Sequence, residues 1–139
     1  MTRRVLLSTV FSCFLFPCFL AFVGCSGPTF VPLEGVLTLG GEAVEGATVC
    51  LTPKDREVGR DAAGTTDADG RFVVSTGSDP GCVVGEYSIS VLKIEQTGDS
   101  VLTARAKNVF PEQYADPSTS GLSVDVQKNA APLRLDLAD

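Results

Sequence analysis

The chain has 139 residues, room for one domain, with 17 acidic against 11 basic residues and a formal net charge of −6. It contains no histidine and no tryptophan. The first absence excludes Ser-His-Asp and Cys-His nucleophile chemistry, and the acid excess argues against nucleic acid or anionic lipid headgroups as ligands of the folded part.

Met1-Thr-Arg-Arg4 is a positive start, and Val5 to Val23 is continuously apolar or small apart from Ser8, Thr9 and Ser12. That shape is a secretory signal. The run exceeds the roughly 7–15 residues of a signal core and approaches the ~20 that span a bilayer, so an uncleaved anchor is the alternative. Phe22-Val23-Gly24-Cys25 resembles a bacterial lipobox, with Phe22 where Leu is usual. The resemblance implies an acylated Cys25 and cleavage after Gly24, and Ser26 implies sorting to an outer membrane where there is one. Residues 1–24 are thus expected as a lipoprotein signal peptide, 25–32 as the lipidated Cys and a short tether, and 33–139 as the folded domain. Losing residues 1–24 removes Arg3 and Arg4 and none of the acids, so the mature chain carries −8.

Beyond the tether a first strand is expected from near Phe30, passing Pro32, which only an edge or a bulge tolerates. Gly35-Val-Leu-Thr-Leu-Gly-Gly41 alternates into a turn pair, and Ala47, Val49 and Leu51 alternate with Thr48, Cys50 and Thr52 until Pro53 ends the ladder. Lys54 to Gly64 is charged and turn-rich and reads as an exposed loop. In Asp67-Ala-Asp-Gly-Arg-Phe-Val-Val-Ser75, Asp-Gly supplies a turn while Phe72 and Val74 share a face. Thr76 to Gly81 is another turn cluster. Gly85 to Ile94 alternates as a long strand, and the pattern then fades from Glu95 to Asn108, with Thr97 to Ser100 as a loop tip. Val109 to Tyr114 has Pro111 at a first helical position and reads as one helical turn, with Phe110 and Tyr114 packing onto the sandwich end. Leu122 to Val126 and Leu133 to Leu137 are strict alternations, joined by a loop over 127–132. The inward set is expected to include Val36, Ala47, Val49, Leu51, Phe72, Val74, Tyr87, Ile89 and Val91.

Gly46-Ala47-Thr48-Val49, then Thr66-Asp67-Ala68-Asp69-Gly70-Arg71-Phe72, then Gly85-Glu86-Tyr87-Ser88-Ile89 resemble the carboxypeptidase regulatory-like, transthyretin-like domains. More narrowly, they are similar to the short lipid-anchored versions in bacterial envelopes. The similarity runs from about Leu33 to Leu137, and departs at Ala43, where those domains carry Pro. It implies an all-β fold, a single antiparallel β-sandwich of about six or seven strands. It specifies no activity, since the motifs are strand and turn chemistry. The 5-hydroxyisourate hydrolases of this fold depend on histidines and a C-terminal Tyr-Arg-Gly-Ser, and this chain has neither.

Three residue groups could still carry chemistry. Cys13 and Cys18 leave with the signal and Cys25 takes lipid, so Cys50 and Cys82 are the candidate disulfide pair in an oxidising compartment; two separate thiols are the alternative. A bridge would close a loop of about 30 residues and contribute ~3–4 kcal/mol. Asp67-Ala-Asp69-Gly70 has the opening of a calcium loop without its later ligands, and turn chemistry accounts for it. No carboxylate pair is singled out. No cofactor and no catalytic residue is therefore expected. The expectation is a non-enzymatic, lipid-anchored envelope module with a structural or protein-interaction role and the membrane as its fixed partner. The alternative is a surface-presented module binding peptide, glycan or calcium.

Overall fold

The computed structural model of the chain describes residues 27–98 and 105–138. The expected signal segment, Cys25, and Asp99 and Ser100 of the expected loop tip lie outside the described residues. The strands, in order, are β1 (Phe30–Val31), β2 (Glu34–Leu39), β3 (Glu42–Ala43), β4 (Thr48–Pro53), β5 (Ala62–Thr65), β6 (Arg71–Val73) and β7 (Ser75–Thr76). They continue with β8 (Asp79–Pro80), β9 (Cys82–Val83), β10 (Gly85–Leu92), β11 (Ile94–Thr97), β12 (Arg105–Asn108), β13 (Leu122–Val126) and β14 (Leu133–Leu137). One 3₁₀ turn, Glu112–Ala115, follows Pro111. The all-β expectation holds among the described residues.

The larger sheet runs β13-β10-β4-β5-β7-β8 and is antiparallel throughout. The facing sheet is built on β2, flanked by β14 on one side and by β3 and β6 on the other. Two further pairs, β1 with β9 and β11 with β12, complete four sheets. This is more than a two-sheet antiparallel sandwich of six or seven strands, and β14 runs parallel to β2. The reason is topological. β13 belongs to the large sheet, so residues 127–132 carry the chain across to the other one instead of turning it back in a hairpin.

The core lies between the two main sheets. From the larger come Val49, Leu51, Tyr87, Ile89 and Val91, each with no exposed surface; from the facing sheet come Leu37, Phe72, Leu135 and Leu137. Eight of the nine expected inward residues are buried. Val36 is the exception. It is half-buried on the outer face, and its neighbour Leu37 is buried instead. Strand β2 carries apolar residues on both faces, so its own alternation does not choose between them. The β14 register chooses, matching Leu37 with Leu135 and Leu39 with Leu137, and cross-strand partners share a face.

Three local readings shift for similar reasons. Paired backbone begins at Phe30, within the stretch expected as tether, because β1 pairs with β9 and buries Val31. Pro32 sits in the gap between β1 and β2, where no ladder needs its missing N–H. Ala62 to Thr65 is strand β5, not loop, although Ala-Ala-Gly-Thr has little strand propensity; it is held by β4 on one side and β7 on the other. Within the faded stretch after Lys93, β11 and β12 pair antiparallel. The run Arg71 to Thr76 changes sheets within itself: β6 pairs with β2, β7 pairs with β5, and Val74 sits at the switch, its N–H donating to the Leu33 carbonyl at 2.8 Å.

The helical turn behaves as read, with Phe110 and Tyr114 both buried. The face assignment of β2 is directly testable. Leu37→Ala should lower unfolding free energy by about 2–5 kcal/mol in urea titrations, and Val36→Thr should stay within about 0.5 kcal/mol of wild type.

Candidate functional site

The most heavily hydrogen-bonded polar feature is the corner from Thr66 to Phe72. Thr66 is buried, and its hydroxyl oxygen accepts from the Ala47 N–H at 2.8 Å while its own N–H donates to the Ala47 carbonyl at 2.9 Å. Gly46 N–H donates to the Thr66 carbonyl at 2.9 Å, which locks the start of β4 to the end of β5. Asp67 then builds the turn. One of its carboxylate oxygens, Oδ1, accepts from Asp69 N–H at 3.0 Å and Arg71 N–H at 2.9 Å, and its own N–H donates to the Arg71 carbonyl at 2.8 Å. Asp does this because its short side chain reaches backbone groups two to four residues on.

Gly70 closes the corner with φ 71°, and a Cβ there would lie 2.5 Å from the Leu37 carbonyl oxygen. Its own carbonyl accepts from Leu37 N–H at 2.8 Å, which docks the turn on β2. The geometry thus assigns the Asp67 carboxylate to the backbone, with the exposed Asp69 beside it. Among the described residues no three His, Cys, Asp or Glu side chains are grouped so as to hold a metal. The Asp-x-Asp-Gly run is turn chemistry.

The two cysteines are not brought together. Cys50 is half-buried on the outer face of β4, in register between Ala63 and Ser90, and Cys82 is fully buried in the core on β9. Both are free thiols, so the candidate bridge is not made in this structure. The alternation that buries Val49 and Leu51 necessarily turns Cys50 away from the core in which Cys82 sits. Burial pushes the Cys82 thiol up to about 11; burial and then the negative Asp61 raise that of Cys50. A raised thiol is a poor nucleophile at neutral pH. Tyr87, fully buried, is also raised, mainly by burial and then by Cys82, and its hydroxyl donates to the Val83 carbonyl at 2.8 Å.

Several open grooves lie on the described surface, and two bear on function. One of about 650 Å³ is lined by Phe30, Arg56, Arg60, Asp61 and Asp79, with Arg56 and Asp61 3.8 Å apart on the surface. Phe30 is its one aromatic. The other, about 590 Å³, runs over the outer face of the β2 sheet, where the register aligns Arg71, Val36 and Arg134 in one row. Sequence reading missed that row, because its members lie in strands far apart along the chain and only the pairing of β6 and β14 with β2 unites them. The displaced face of Val36 is its one local signal.

Comparison with protein-family models, with curated proteins and with solved structures finds no match.

The corner predicts that Asp67→Asn, which keeps an acceptor oxygen, combined with Asp69→Asn melts close to wild type, whereas Asp67→Ala costs about 1–3 kcal/mol because two N–H groups lose their acceptor. Millimolar calcium should leave the melting temperature unchanged in wild type and in the double mutant; a rise confined to wild type would reassign both aspartates to a metal.

The thiols predict a pH profile. Cys82 is protonated in the fold beyond the ordinary value of 9.0. The stability this contributes is complete below pH 9 and lost as pH rises towards about 11. Thiol labelling at pH 8 should accordingly modify Cys50 in the native protein and Cys82 only after unfolding.

Proposed function

We propose that this chain is a non-enzymatic module of the bacterial cell envelope, held at the membrane by lipid on Cys25, with a structural or protein-interaction role. The observation that carries the proposal is the short distance along the chain between Cys25 and the first paired residue, Phe30. Five residue steps reach at most ~18 Å even when fully extended. A folded unit so placed works next to its membrane, and the Arg3-Arg4, apolar run and Gly24-Cys25 junction supply the anchor chemistry.

Support for an interaction role comes from the open terminal strands of the two main sheets, β13 and β14 among them, which have no strand partner on their outer sides among the described residues. Open edges are where one chain adds a strand to another. Against catalysis stand the absence of histidine from the sequence and two thiols held protonated at neutral pH. The alternative, a module that binds peptide or glycan, would use the groove beside Arg56, Arg60, Asp61 and Asp79. Its single aromatic, Phe30, provides little of the stacking surface that sugar binding uses, so the interaction reading is preferred.

The anchor is tested by Cys25→Ser. An unprocessed precursor without incorporated fatty acid is expected, and normal processing with acyl labelling would overturn the proposal. Chemical crosslinking in intact envelopes, followed by recovery of the chain, should capture a protein neighbour from wild type that is lost with Cys25→Ser.

A further inference from the structure

We infer that two copies of this chain pair through the β14 edge, joining their β2 sheets into one continuous sheet across a two-fold axis at Leu135. The inference starts from the backbone of β14. The Leu137 carbonyl accepts from Gly40 N–H at 2.9 Å, on the β2 side. Peptide groups alternate sides along a strand, so Leu133, Leu135 and Leu137 direct theirs towards β2, while Arg134 and Asp136 direct theirs to the open side. No strand among the described residues occupies that side. The next group along it, Ala138 N–H, donates to the Tyr114 hydroxyl at 3.3 Å, which marks where the open stretch ends.

The sequence of this edge is complementary to itself. Set antiparallel about Leu135, Leu-Arg-Leu-Asp-Leu places Arg134 of each copy opposite Asp136 of the other. Those positions carry the free peptide groups, so each Arg134–Asp136 match is a hydrogen-bonded pair, and symmetry makes two of them. Both side chains are exposed on the outer face. Asp136 also accepts from the Thr38 hydroxyl, which holds its carboxylate on that face and leaves the other oxygen for the second copy's guanidinium. Opposite charges in directly facing positions stabilise a strand pair, and like charges destabilise it. Leu135 and Leu137 already point into the core, so the junction extends the buried layer without exposing an apolar face.

The other strands that end the two main sheets lack this property: β3 and β8 are two residues long with acid and no base, and β6 has Arg71 and no acid. Strand β13 paired on itself about Val124 would set Ser123 against Asp125, with acids on both copies and no base. Charge complementarity therefore selects β14 and selects a second copy of the chain as its occupant. The inference does not depend on the lipid at Cys25. Because a single strand edge buries little surface, the pair is a weak one, in the micromolar range or above.

The test is sedimentation equilibrium of the full chain in density-matched detergent, with micelles in excess. Wild type should show a concentration-dependent dimer. Arg134→Asp and Asp136→Arg, which each set like charges opposite one another, should each weaken it about tenfold or more. The double variant R134D/D136R, which exchanges the two charges, should restore dimerisation. A wild type monomeric up to millimolar concentration, single variants that dimerise as wild type, or a double variant that stays monomeric would each overturn the inference. Amide exchange of the unmutated chain gives an independent reading. Protection at Arg134 and Asp136 should rise with protein concentration, and protection that does not change would also overturn it.

Discussion

Phe72 occupies a slot that exists only because two residues have no side chain. A Cβ on Gly35 would lie 2.5 Å from its ring and 2.6 Å from the Leu133 carbonyl oxygen, and one on Gly64 would lie 2.6 Å from the Val73 carbonyl oxygen and 3.3 Å from the same ring. Contacts that short are not met by small adjustments in a packed interior. With the slot open, β6 lies against β2 and the chain can switch at Val74 to pair β7 with β5. The two main sheets are thereby tied together by one six-residue run, and their facing residues close the core. The rest of the sandwich depends on this passage.

The corner beside it is the same constraint expressed in polar groups. Thr66 secures Ala47, Asp67 closes the turn, and Gly70 docks on Leu37, so β2, β4 and β5 meet at one point. Paired acids next to a glycine suggest a cation site when read as letters. In the fold, their first carboxylate has its work within the backbone. The same economy applies to the thiols, since Cys82 contributes to packing and Cys50 lies on the outer face, and burial raises the pKa of both.

What the fold presents outwards is edges and charge. The anchor proposed at Cys25 would hold the sandwich within a few nanometres of a membrane, and the mature chain's acid excess would keep it off anionic headgroups. Strand edges β13 and β14 are then among the surfaces with unfilled bonding capacity. Their different charge patterns distinguish them: β14 alternates base and acid, and β13 carries acid alone.

Much of the local structure was legible in the residues. Alternation over Ala47 to Leu51, Tyr87 to Val91, Leu122 to Val126 and Leu133 to Leu137 is a property of each strand alone, because successive side chains leave opposite faces, and it located those strands and the buried residues of the first two. Turn chemistry at Asp67 and Gly70, and the helical turn at Pro111, were legible for the same reason: a few neighbouring residues determine them. Partnership was not. The face of β2 was decided by Leu135 and Leu137, nearly 100 residues away. Strand β5 exists because β4 and β7 enclose Ala-Ala-Gly-Thr, which has little tendency to extend by itself. The parallel run of β14, the separation of Cys50 from Cys82 and the row Arg71–Val36–Arg134 all follow from which strand lies beside which. Period and turn geometry are short-range and are written into consecutive side chains, whereas pairing depends on how two sheets share one core, and only the assembled tertiary structure decides that.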